Sequence, residues 1–523
     1  MRGISRRDFL TVVGAAGGAG AMFATMGALG LAPTAMGTAD YRPPQPSDFR
    51  LTGRAAAKVV VLGGGIAGLA SAYELGKAGY DCTVLEARDV AGGRNFTVRG
   101  GTRQTELDGQ TQVGRFSDGE YMNAGPARIA QWMVTLDYCR ELGIPIEVFT
   151  NTNASALIYH EGMGAPVRYR TAKADVYGYV SELLAKATDQ GALDSSLTGD
   201  DKQRLLAFLE DWGDIGAQHR YTGSKRRGYA VDPGAFDQAG TPLPGPPSLS
   251  DVLARGVGRH FSFEFEYEQA MLMFQPVGGM DRIPAALVRA IGPGRVRTGC
   301  AVTGITNGDN GVSVTYTRGG REQRIDADYC IAAMPPHIAA RIPHNLGADV
   351  RQALTTFDVH PVGKMGLEYR SRWWETDHRI YGGITETDLD LDHLWYPSHG
   401  YHGRRGTLIG YYNTDAHAVA YGQLTPAQRE ARAVAQGVRI HGDKYRTELA
   451  SSFSVAWHRI PHIEGGWALP TTDNIPAYVL LNQPQGRVYF AGDWLTFLVT
   501  WQAGAFDSAR RVVTELHSRV LKS

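Results

Sequence analysis

The sequence predicts a mixed α/β fold that opens on a Rossmann-like nucleotide-binding unit, and three observations predict it. From Lys58 a strand, a glycine turn, a helix and a second strand follow one another as "KVVVLGGG", "IAGLASAYELGKAG" and "YDCTVLEA", which together make one βαβ unit. Residues 172–190 and 200–212 carry apolar side chains at helical spacing (Val176, Tyr179, Val180, Leu183 and Leu184, then Leu205, Leu206, Leu209 and Trp212), with Thr198 or Asp200 placed to cap the second helix. Strand-like alternation then returns over residues 296–317, where Asn307-Gly308 and Asn310-Gly311 signal hairpin turns, and continues through "ADYCIAAMPP", "KMGLEY" and "GTLIGYYN". A chain of 523 residues exceeds what one hydrophobic core sustains, so two or three subdomains are expected.

Ahead of the βαβ unit, "SRRDFL" carries a twin-arginine pair. A glycine- and alanine-rich, weakly hydrophobic run follows over residues 11–31, then a small-residue segment ending in "MGTAD". We read residues 1–39 as a twin-arginine export signal cleaved after Ala39, and residues 40–56 as a proline-rich linker. The expected partner is the twin-arginine export machinery, and the expected location is extracytoplasmic, secreted or periplasmic. A retained membrane anchor is the competing reading, because the run is long enough to span, but its many small residues make it less apolar than an anchor.

Lysine plus arginine (53) balances aspartate plus glutamate (53), so no net field draws the chain to nucleic acid. The compact basic run Lys225-Arg226-Arg227 has no interleaved aromatics and reads as a solvated face. Cys82, Cys139, Cys300 and Cys330 are far apart, without CxxC spacing or a histidine set, so neither a disulfide framework nor a metal site is expected. A polar helix over residues 425–437 leads to the C-terminal strand, loop and long amphipathic helix of "VYFAGDWLTFLVTWQAGAFDSARRVVTELHSRV".

The chemistry starts at the glycine turn. Gly63, Gly65 and Gly68, with Ile66 and Ala67 between them, fit G-x-G-x-x-G directly after a strand and at the start of a helix. Glycines there allow backbone to approach a pyrophosphate, which rests on the positive helix N-terminus. Glu86, followed by Ala87, ends the second strand about 20 residues on, placed to accept hydrogen bonds from a ribose 2′-hydroxyl. Three further segments point to FAD rather than NAD. "AGGRN" supplies Gly93 and Arg94, "PVGGMDRI" opens a helix on another glycine pair, and "YFAGDW" ends a strand at Gly492 and Asp493. Each of these three alone is also compatible with a plain turn. Arg128, in the small apolar stretch "YMNAGPARIAQ", is from the residues alone as readily a structural salt bridge as an anion clamp.

In this order the segments resemble the flavin amine oxidase family, and within it bacterial L-amino acid oxidases, across nearly the whole mature chain. The resemblance implies an FAD-binding domain of the glutathione-reductase and amine-oxidase type assembled from residues 57–118, 276–335 and 450–523. It further implies a mixed-sheet substrate-binding domain from residues 119–165 and 336–449, and a helical domain over residues 166–275. It puts Val302 at the adenine and Asp493 at the ribityl chain. It places Gly125, Pro126, Ala127 and Arg128 along the cofactor, with Trp501, Gln502 and Ala503 starting the helix that points at the flavin ring. With no cysteine in the C-terminal segment, the FAD is expected to be noncovalent. A homodimer is implied by the resemblance.

The same resemblance assigns the substrate site. Arg128 in "NAGPARI" matches the arginine that pairs with a substrate carboxylate, and Tyr412 in "GYYN" matches the tyrosine that gives it a second donor, with Tyr411 as the competing register. Trp467 and Trp501 match the aromatic walls flanking the amine, the Thr500 carbonyl is available to the amino group, and Lys364 matches the lysine that holds a water near flavin N5. Thr500 stands where related oxidases usually have glycine or alanine, and its bulk is expected to narrow the pocket. The activity implied is oxidation of an L-amino acid by hydride transfer to FAD, with O2 as acceptor, giving a 2-oxo acid, ammonia and hydrogen peroxide. The alternatives are a monoamine or polyamine oxidase, or an exported flavoprotein dehydrogenase with another acceptor.

Overall fold

The structure is a computed structural model, and it describes residues 51–470 and 475–522. The expected export signal and most of the linker lie outside the described residues. Five parallel strands form the first sheet, in the order Val296–Arg297, Asp81–Leu85, Lys58–Leu62, Tyr329–Ala332 and Val488–Phe490. Its strands come from the N-terminal, middle and C-terminal parts of the chain, so the sheet closes only after the last of them is made.

The central strand shows why it holds. Val59, Val60, Val61 and Leu62 are all buried, but alternate side chains feed different cores. Val59 and Val61 pack with the helices Ile66–Lys77 and Gln502–Lys522, whereas Val60 and Leu62 pack with Val312, Val314 and Tyr316 of a three-stranded antiparallel sheet on the other face. A strand covered on both faces reads as a continuous apolar run rather than an alternating one. The three-stranded sheet is Cys300–Asn307, Val312–Arg318 and Arg321–Ala327, with both Asn-Gly pairs in its first turn and Gly319-Gly320 in its second.

A second, seven-stranded sheet runs in the order Leu449–Ala456, Val362–Tyr369, Gly406–Thr414, His393–Trp395, Ile384–Thr387, Leu157–Tyr159 and Val167–Arg168. Its first strand lies beyond residue 449, where the substrate-binding piece is expected to end. The helix Pro426–His441 packs behind it, started by proline at its first turn and by a capping box between Thr425 and Gln428. The helical part holds Tyr169–Asp189 and Gly199–Gly213, the second opened by a capping box between Thr198 and Asp201.

One smaller expectation comes out differently in part. Lys225 and Arg226 are exposed, but Arg227 is buried with its Nε 2.6 Å from Asp175, so the basic run is not simply a solvated face. The four cysteines are free and buried, and burial pushes the Cys82 and Cys139 thiols up to about 12.

A buried charge cluster ties a two-stranded ribbon, Arg103–Thr105 with Thr111–Val113, to the seven-stranded sheet and its helix. Glu106, just past the strand Arg103–Thr105, accepts from Arg429 on the helix Pro426–His441 at 2.5 and 2.8 Å, and from Arg459 beyond the strand Leu449–Ala456 at 2.9 Å. The Glu106 and Arg429 side chains are almost wholly out of water, at 1% and 0% exposed. Removing one partner of such a pair strands the other charge, which costs far more than the pair contributes. Glu106→Ala is therefore expected to lower the free energy of unfolding by about 3–5 kcal/mol, read as a shift of the urea midpoint. An unchanged midpoint would show that the cluster is not a structural tie.

Candidate active site

The glycine turn after Lys58–Leu62 is tight for two reasons. Gly63 has φ +105°, and a Cβ on it would stand 2.5 Å from the Ala333 carbonyl oxygen, while a Cβ on Gly68 would stand 2.0 Å from the Gly63 carbonyl oxygen. Gly68 thus packs helix against turn. Gly65, which caps the helix Ile66–Lys77, is different: a Cβ there meets nothing within 4 Å and would project into open cavity. Glu86 fixes this end of the site. One carboxylate oxygen accepts from the Gly64 N–H at 2.7 Å and the other from the Arg88 N–H at 2.9 Å. Gly93, at φ +58°, folds back so that a Cβ would lie 3.3 Å from the Gly65 Cα.

From this turn a cavity of about 1850 Å³ runs through the molecule. Ile66, Ala67, Ala87 and Val302 line its nucleotide end, Val302 beside a register shift in the strand Cys300–Asn307. Gly125, Pro126, Ala127, Gly492, Trp501 and Gln502 line its middle. Ala503 does not; it is buried in the core under the start of the helix Gln502–Lys522. Arg94 is bound to the carboxylate of Asp493 at 2.5 Å and to the Gly466 carbonyl, and the other Asp493 oxygen accepts from the Thr500 N–H at 3.2 Å. Gln502 donates to Asn95.

The far end of the cavity is floored by the seven-stranded sheet. Lys364, Tyr412, His393 and Glu386 stand directly opposite one another on four adjacent strands, and all four line the cavity. Trp395, two residues beyond His393 and on the same face, carries the Arg128 guanidinium 4.8 Å from its ring centre and the Lys364 ammonium at 4.6 Å. Arg128 also lies 5.4 Å from Phe263. Its Nη1 is buried and makes no hydrogen bond among the described residues. Burial pushes its pKa down, and Tyr412, Glu386 and Glu266 act against this through their fields.

Lys364 is 2% exposed and donates to the Gly125 carbonyl at 2.6 Å and more weakly to that of Asn123 at 3.4 Å. Burial, reinforced by the Arg128 charge, pushes its ammonium down to about 7. Burial pushes the Tyr412 phenol up, opposed by Arg128. Tyr411 faces the other side of the sheet, fully buried and packed on Tyr421 at 4.5 Å, so it is Tyr412 that meets the cavity. Trp467 lines the cavity and stacks on His360 at 6.1 Å; Trp501 and Thr500 line it from the C-terminal loop.

The sequence-predicted residues Arg128, Tyr412, Trp467, Trp501, Thr500 and Lys364 therefore share one cavity with the glycine turn. Trp395, Glu386, His393, Phe263 and His260 share it too and were not foreseen. For the strand His393–Trp395 the available signal was two large side chains at i and i+2, which points both to one face.

A family model described as flavin containing amine oxidoreductase matches residues 66–517. The chain belongs to the flavin-containing amine oxidoreductases. Among curated relatives it is similar to the Bacillus subtilis (strain 168) protein named "Putative L-amino-acid oxidase YobN", at 26% identity over 88% of this chain and 94% of that one. It is also similar to the L-amino-acid oxidase of Pseudechis australis, at 25% identity over 85% and 83%. Solved structures with the same fold include cyclohexylamine oxidase from Brevibacterium oxydans IH-35A, with TM-score 0.60, 18% identity and coverage of 90% and 100%. Putrescine oxidase bound to putrescine gives TM-score 0.59, 18% identity and coverage of 89% and 100%.

The residues present fit the flavin that the family carries. Gly65 leaves open the space a side chain would fill, Glu86 lines the cavity at the end of its strand, and the helix Gln502–Lys522 starts at the cavity wall. In this amine oxidoreductase the wall also holds a strained residue. Thr500 adopts φ +76°, a left-handed backbone that costs a β-branched residue on the order of 1–3 kcal/mol. Thr500→Gly is expected to raise the unfolding free energy by about 1 kcal/mol after the extra chain entropy of glycine is subtracted; a loss of stability would contradict the strain. A second expectation concerns charge. Below about pH 7 Arg128 and Lys364 are both cationic beside the Trp395 ring, and above it Lys364 is neutral. Affinity of the flavin-loaded protein for benzoate should therefore fall on the order of tenfold as pH rises from 6 to 8.5, and Lys364→Met should abolish that step. A flat profile in the unaltered protein would place the Lys364 titration elsewhere.

Proposed function

We propose that this flavin-containing amine oxidoreductase is an FAD-dependent L-amino acid oxidase. The observation that carries the reading is Arg128: a guanidinium held on Trp395 in the substrate end of the cavity, with a buried nitrogen that no described residue satisfies. A buried donor left unmatched is expensive, and a carboxylate delivered by the substrate matches it. A simple amine brings no such group. The similarity to L-amino-acid oxidases over most of the chain supports the same reading.

Arg128 and the Tyr412 hydroxyl hold the substrate carboxylate. That contact orients the α-carbon, and Trp467 and Trp501 flank the amino group, with the Thr500 carbonyl as its acceptor. Bound FAD supplies the two-electron acceptor and, through its reoxidation by O2, the route to hydrogen peroxide. Lys364, anchored on the Gly125 carbonyl, keeps a titratable proton beside the reacting end and positions a water there. The substrate leaves as an imino acid, which water hydrolyses to a 2-oxo acid and ammonia. The cofactor reading is noncovalent, supported by a C-terminal segment without cysteine. The twin-arginine pair in "SRRDFL" supports export after folding and hence an extracytoplasmic, FAD-loaded enzyme; a homodimer follows the same resemblance.

Peroxide release with a panel of L-amino acids, their D-enantiomers and simple amines tests the reading, and only the L-amino acids should respond. Arg128→Ala should lower kcat/KM for them by about 2–5 kcal/mol, as loss of a desolvated charge-assisted contact does. Unaltered kinetic constants would remove Arg128 from the carboxylate site.

A further inference from the structure

This inference rests on the L-amino acid reading and concerns which side chain the enzyme takes. The row across the sheet continues past the carboxylate site, from Lys364 to Tyr412, His393 and Glu386. Neighbouring strands are about 4.8 Å apart, so Glu386 lies two strand spacings beyond Tyr412, on the order of 10 Å. A substrate anchored at Arg128 and Tyr412 meets Glu386 only with a long side chain.

The partners of Glu386 differ from those of several buried carboxylates. Glu106 is held by Arg429 and Arg459, Glu375 by Arg372 and Asp175 by Arg227, all permanent cations. Glu386 has imidazoles instead: His393 Nδ1 at 2.8 Å, off the line of a hydrogen bond, and His260 Nδ1 at 3.5 Å. His260 is in turn tied through its Nε2 to His160 at 2.9 Å, and His160 donates from Nδ1 to the Arg255 carbonyl. Burial on its own would raise the Glu386 pKa, but His393 and His260 hold it well below the usual carboxylate range. The carboxylate is thus anionic, faces the cavity, and is balanced by imidazoles rather than by a permanent cation.

Other charges around it point the same way. Arg128 acts on Glu386 at longer range, but in the complex Arg128 is engaged by the substrate carboxylate. Glu266 and Glu268 also line the cavity, as does Arg259, and Glu266 lies within the field of Arg128. An apolar side chain leaves Glu386 to the imidazoles alone, and an acidic one sets a second carboxylate against it. A cationic side chain replaces the imidazole protons.

We propose that Glu386, with His393 and His260, forms a side-chain subsite that selects L-amino acids with long basic side chains, L-arginine and L-lysine. Discrimination of this kind works as much by rejecting the wrong charge as by binding the right one.

The test measures kcat/KM from peroxide release by the FAD-loaded enzyme with L-arginine, L-lysine, L-leucine and L-glutamate. The expected result is at least about a tenfold advantage of L-arginine or L-lysine over L-leucine, with L-glutamate weakest. Glu386→Gln should shrink the ratio of L-arginine to L-leucine about tenfold, and Glu386→Asp should recover part of it; a purely structural role would leave the ratio where it was. The proposal is overturned if the unaltered enzyme prefers L-leucine or L-glutamate, or if the ratio does not move in Glu386→Gln. Oxidation of L-leucine without any basic preference removes this inference alone, whereas oxidation of simple amines and no L-amino acid removes the reading beneath it. The comparison in the unaltered enzyme decides the matter even if a variant fails to fold.

Discussion

A guanidinium taken out of water has to be compensated, and the account of this protein depends on how Arg128 is. It rests on the face of Trp395, with one nitrogen buried and unmatched among the described residues. Other buried arginines close on protein acceptors: Arg429 on Glu106, Arg372 on Glu375, Arg227 on Asp175 and Arg510 on the Tyr138 hydroxyl. Arg128 instead lines the cavity and has an aromatic face where those have an acceptor. An aromatic face gives part of the compensation, on the order of 1–2 kcal/mol for a desolvated pair, and leaves the in-plane donors free for an anion. The same ring holds Lys364, and the mutual repulsion of the two cations helps hold the lysine down to about 7. One tryptophan therefore couples the anchoring charge to the titrating one.

What keeps Arg128 and the glycine turn in one cavity is the interleaving of the chain. The parallel sheet takes strands from three distant segments, and its C-terminal strand feeds the loop that carries Asp493, Thr500 and Trp501 to the wall. The seven-stranded sheet supplies the floor, and the buried Glu106 cluster fastens the Arg103–Thr105 ribbon to it. Thr500, a β-branched residue at positive φ, puts local strain in the cavity wall.

Much of the nucleotide end was legible in the sequence because its signals are local. Gly63, Gly65 and Gly68 work within six residues, and Glu86 follows at the end of the next strand. The two long helices of the insertion were legible from their apolar spacing and the Thr198 cap. The substrate floor was legible only in part. Arg128, Tyr412 and Lys364 were named through a family resemblance, and choosing Tyr412 over Tyr411 required the pleat. Glu386, His393 and Trp395 were missed because nothing local distinguishes them: they become a site only through cross-strand register, which sets Glu386 against His393 and His393 against Tyr412. Ala503 does not line the cavity, because its side chain turns into the core.

The most direct test of the central claim is a crystal structure of the flavin-loaded protein with a simple carboxylate such as benzoate bound. The account predicts both carboxylate oxygens within hydrogen-bonding distance, about 2.7–3.0 Å, of the Arg128 guanidinium and the Tyr412 hydroxyl, with the guanidinium still resting on Trp395. Arg128 swung onto Glu266 or Glu386, with the carboxylate bound elsewhere in the cavity, would contradict it.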